Sequence, residues 1–81
     1  MNKLPKTRTE IQQLITAALR DFTDCEQAVG VVVIPVEAAD GHATWTVSGF
    51  SRGEADGYAC DRALQRIVPH YQQLYDLAQK H

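Results

Sequence analysis

The sequence predicts a small α+β domain in two layers, in the order α-β-β-α. An antiparallel β-hairpin packs against an N-terminal helix and a long, Pro-bent C-terminal helix. Three observations carry this prediction. Apolar residues recur at helical spacing over 11–22 and again over 60–78. Between them lie two β-branched runs, 28–36 and 43–50, separated by Asp40-Gly41. The 81 residues, 44% of them hydrophobic, suffice for one core, so residues 1–81 are read as a single domain.

Residues 1–6 carry Lys3 and Lys6 with no apolar run behind them, and are expected to form a loose arm. Ile11, Leu14, Ile15, Ala18, Leu19 and Phe22 then make one apolar stripe. Thr7 and Glu10 have the spacing of a capping box, which predicts a helix over 8–23. A two-residue turn at Asp40-Gly41 pairs Val36 with Trp45, Ile34 with Val47 and Val32 with Gly49. Those six would form the core face of the hairpin. The reverse would then present Val31, Val33, Pro35 and Phe50 to water.

Ser51 and Glu54 repeat the capping-box spacing. Cys60, Ala63, Leu64, Ile67, Tyr71, Leu74, Tyr75 and Ala78 share one face behind them. The expectation is one helix over 53–79, roughly 39 Å long and bent at Pro69; two helices broken there are the alternative.

Composition narrows the function. No stretch approaches the ~20 apolar residues of a spanning helix, so no membrane partner is expected. Ten Asp and Glu outweigh eight Lys and Arg, for a net charge of −2, which disfavours general nucleic-acid binding. Without the apolar run of a secretory signal the chain is expected in the cytoplasm, with Cys25 and Cys60 as reduced thiols. A disulfide between them remains an alternative only if the fold brings them together.

Catalytic and metal-binding patterns find little support. Cys60 lies on the buried seam, and Cys25 stands between Asp24 and Glu26, which disfavour a thiolate. His42, His70 and His81 form no triad by spacing, and neither C-x-x-C nor H-x-x-x-H occurs. Neither enzyme activity nor a cofactor is therefore expected.

Three surface features remain. The greasy hairpin reverse (Val31, Val33, Phe50) and the overhanging end of the last helix (Leu74, Tyr75) suggest an interaction module that forms a homodimer. A monomer in which strand twist and a frayed C-terminus absorb both is the alternative. Ser51, Arg52 and Gly53 run into a helix N-terminus and could hold an anion, although the capping box already satisfies those amides. The stripe Tyr58, Arg62, Arg66 and His70 could meet an acidic protein partner or, less in keeping with the charge, nucleic acid.

Overall fold

Thr7 opens the first helix as its spacing predicts. Its hydroxyl accepts from the Glu10 amide at 3.1 Å, and the Glu10 carboxylate accepts from the Thr7 amide at 2.9 Å. The computed structural model describes residues 4–36 and 44–78. Along the chain run β1 (Leu4–Lys6), α1 (Arg8–Arg20), β2 (Gly30–Pro35), β3 (Trp45–Ser51), α2 (Gly57–Leu74) and β4 (Tyr75–Leu77). The predicted turn at Asp40-Gly41, together with Glu37 and His42, lies outside the described residues.

The α+β class and the two layers hold. α1 packs on β2, α2 packs on β3 and the helices touch each other. Ile11, Ile15 and Leu19 of α1 and Cys60, Ala63, Leu64 and Ile67 of α2 meet Val31, Val33 and Trp45 of the hairpin in one buried cluster. Both helices therefore cover one face of the hairpin.

That face is not the predicted one on β2. Val32 pairs with Gly49, but Val33 pairs with Val47, leaving Ser48 as the extra residue of a β-bulge. Beyond it Ile34 pairs with Thr46 and Pro35 with Trp45. The slip by one residue puts Val31 and Val33, not Val32 and Ile34, on the side of Trp45. The bulge also brings Phe50 to the side of Val47, and both pack against the core. Val31 and Val33 are thus buried and Phe50 is half-buried, so the expected greasy reverse does not exist at those residues. The uncovered face instead carries Val32, 50% exposed, beside half-buried Ile34 and Thr46.

Three boundaries also differ. α1 ends at Arg20, capped at Asp21, and Arg20 Nε donates to the Ala28 carbonyl at 2.8 Å, fixing the connector to β2. α2 begins at Gly57 with Asp56 as its cap, because Ser51 still belongs to β3 and residues 52–55 turn the chain. At its other end α2 runs unbroken through Pro69, as the one-helix reading requires, and stops at Leu74. Its 18 residues span about 27 Å, so the predicted overhang is absent. The chain instead extends into β4, which pairs in parallel with β1: Leu4 with Tyr75, Pro5 with Asp76 and Lys6 with Leu77. Residues 4–6 of the supposed loose arm are therefore a strand.

Candidate functional site

β3 has two sides. One is bonded to β2; among the described residues no strand pairs with the other. The near end of that open side is occupied, since Gln72 Nε2 donates to the Trp45 carbonyl at 2.7 Å. In an antiparallel ladder backbone groups alternate between partner and open side, so Val47, two residues on, turns its N–H and C=O outward as well. A groove lies there between β3 and α2, with a volume of about 480 Å³. Val47 and Phe50 line one wall and Leu64, Val68 and Pro69 the other, while Ser48, Gly49, Asp61 and Gln65 complete it.

The groove exists because α2 offers a wider apolar stripe than a two-stranded sheet can cover. Gln65 Nε2 donates to the Asp61 carboxylate at 3.1 Å, tying the two polar lining residues together. Asp61 is the one carboxylate and the lining contains no second titratable side chain. Such a site can seat an apolar side chain and offer backbone bonds, but lacks an acid–base pair for proton transfer.

The other candidates fare differently. Leu74 is 43% exposed at the end of α2. Tyr75 is engaged within the chain: its carbonyl accepts from the Trp45 indole at 3.0 Å, and Lys6 Nζ lies 5.7 Å from its ring centroid. Ser51, Arg52 and Gly53 do not run directly into a helix, because α2 starts four residues after Gly53, although the Arg52 side chain folds back against Gly57 at its start. Gly53 instead makes the turn at φ +57°, and Arg52 Nη1 donates to the Ala55 carbonyl at 3.5 Å. Tyr58, Arg62 and Arg66 do come together, lining a cleft of about 330 Å³ with Phe22 and Thr23. The Arg62 guanidinium sits 5.8 Å from the Tyr58 ring centroid. His70 does not line that cleft; its ring meets Tyr71 edge-on at 5.7 Å.

Sequence reasoning left the relation of Cys25 to Cys60 open. The structure makes them neighbours in one core cluster, both without solvent-exposed surface. Burial, then the Cys60 thiol, then the charges of Glu26 and Asp24 push the Cys25 thiol up to about 11. Among the described residues no three His, Cys, Asp or Glu side chains gather as metal ligands, and no helix is long and apolar enough to cross a membrane. No family model matches the chain, and neither does any curated protein or solved structure compared with it.

Proposed function

We propose that the chain is a small non-enzymatic interaction module that self-associates through the open side of β3. The carrying observation is the conjunction there of an unpaired strand edge and an apolar groove. A two-stranded sheet is marginal on its own, and pairing β3 with β3 of a second copy makes four strands. The pairing is antiparallel about a two-fold axis, so each copy offers the same surface and receives the same surface. Apolar side chains of one copy then close the groove of the other. The bulge at Ser48 shortens the stretch that can pair, which favours a weak, exchanging dimer over a permanent one. The proposal also sets the chain in the cytosol, where thiols such as Cys25 and Cys60 stay reduced.

Light scattering behind size exclusion, run over a wide range of concentrations, tests this reading. The expected result is a rise from 9.0 kDa towards twice that mass. Ser48→Lys, at an exposed site on the edge, should hold the chain at 9.0 kDa while leaving its circular dichroism unchanged. A mass fixed at 9.0 kDa at every concentration, or a dimer that survives Ser48→Lys, overturns it.

A further inference from the structure

Cys25 and Cys60 stand 35 positions apart in the chain, yet both are fully buried as neighbours in one core cluster. Backbone hydrogen bonds bring the two segments together. The Asp56 amide donates to the Asp24 carbonyl at 3.0 Å, bolting the residue before Cys25 to the N-cap of α2. One turn further on, the Cys60 amide donates to the Asp56 carbonyl at 2.9 Å. Asp24 itself adopts φ +69°, a left-handed conformation uncommon for a non-glycine residue. The connector from α1 to β2 is thus bent into place against α2, with one cysteine on each side of the contact.

We infer that Cys25 and Cys60 are a latent dithiol that closes into an internal disulfide when a low-molecular-weight disulfide reaches it, clamping the α1–β2 connector to α2. The thiolate of Cys25 attacks one sulfur of the oxidant, whose S–S bond breaks and releases one thiol equivalent. The Cys60 thiolate then attacks the Cys25 sulfur of the mixed disulfide and expels the second. The protein loses two protons and two electrons, and the oxidant takes up both as it becomes two thiols.

The same surroundings make the device slow. Neither sulfur has exposed surface in the closed fold, and the Cys25 proton is held tightly by burial and flanking carboxylates. Reaction therefore waits on local opening. The connector is the part that opens, since residues 21–29 form no regular helix or strand and are held by isolated bonds, such as Cys25 N–H to the Phe22 carbonyl and Asp56 N–H to the Asp24 carbonyl, each 3.0 Å, rather than by a continuous ladder. Cys60 stays on α2 as the resolving thiol. Ordinary cytosolic poise leaves the pair reduced, whereas sustained oxidation traps it as it opens.

The inference does not rest on self-association, and its test reads a different quantity. The native chain is incubated with oxidised glutathione at mildly alkaline pH and analysed by intact mass and non-reducing peptide mapping. The expected product is lighter by about 2 Da, carries no glutathione and joins the peptides of Cys25 and Cys60. Its Tm should rise by on the order of 10 °C, because the cross-link closes a loop in the unfolded chain. Cys60→Ala should accumulate glutathione on Cys25, and Cys25→Ala should react more slowly because its remaining thiol lies on a helix. A disulfide that forms only in denaturant, or one that lowers Tm, overturns the inference. So does an internal bridge no faster than glutathione capture in Cys25→Ala.

Discussion

Gly53 is where a single methyl group meets the most resistance. Its φ of +57° is left-handed, and a Cβ there would stand 2.9 Å from both the Gln27 carbonyl oxygen and Val29 Cγ2. Backbone strain and backbone contact act together, so Gly53→Ala should cost about 1–3 kcal/mol in urea denaturation. Gly49 is the internal control. A Cβ there meets nothing within 4 Å, so Gly49→Ala should fall within about 0.5 kcal/mol of the parent. Equal midpoints for the two variants would contradict this account. The comparison also decides what Ser51-Arg52-Gly53 is for. Its glycine suggests a phosphate loop in the sequence, yet the structure uses it to pass under Val29. The close approach to Gln27 and Val29 that requires glycine here is a tertiary contact, which the local sequence does not show.

At the scale of elements, legibility follows locality. α1 could be read because its stripe and capping box lie within one segment, and its predicted start is the observed one. The acid response of that box follows from its geometry. The Thr7 amide and then the Thr7 hydroxyl bond Glu10, and with Lys6 nearby they lower its carboxyl below the ordinary 4.5 against a small opposing effect of desolvation. A lowered folded pKa contributes stability that is present above the unfolded value and lost as pH falls through the folded one. Helicity and amide protection at the start of α1 should therefore decline below about pH 4.5, and Glu10→Gln, which removes the titrating carboxylate, should abolish that dependence. An identical acid profile in Glu10→Gln would rule out the box as its source. The hairpin was only half legible. β3 alternates, with Trp45 and Val47 inward, but Val31-Val32-Val33-Ile34 is apolar throughout and cannot choose a face by pattern. The choice is made by the bulge at Ser48 and by Gln12 of α1, whose side-chain oxygen accepts from the Val33 amide at 3.0 Å. At α2 the predicted Ser51 cap gave way to Asp56, because β3 consumes Ser51. The groove residues Leu64 and Phe50 were each singled out in the sequence, but for the seam and for an exposed face, so the site they share was not.

At the scale of the molecule, both ends of the described chain converge on its single tryptophan. β1 and β4 are three residues each, too short for any sequence pattern, and parallel pairing across some 70 positions is not a local signal. Their placement depends on Trp45, which has no exposed surface yet keeps its indole N–H bonded to the Tyr75 carbonyl. Around it, the Leu77 amide donates to Thr44 Oγ1 at 2.9 Å and the Ala78 amide to the Lys6 carbonyl at 2.7 Å. Removing residues 1–6 takes away the partner strand of β4 and the Lys6 cation over Tyr75 together. With each lost hydrogen bond worth about 1 kcal/mol net, the truncated chain should lose about 2 kcal/mol. For a domain of this size that lowers Tm by roughly 8–16 °C. Trp45 reports the loss directly. Its emission should move to the red at temperatures where the helical circular dichroism is still native, because β4 releases the indole before α1 and α2 separate. Emission and circular dichroism that melt together at the parent Tm would show that the terminal pair contributes nothing to closing the core over Trp45.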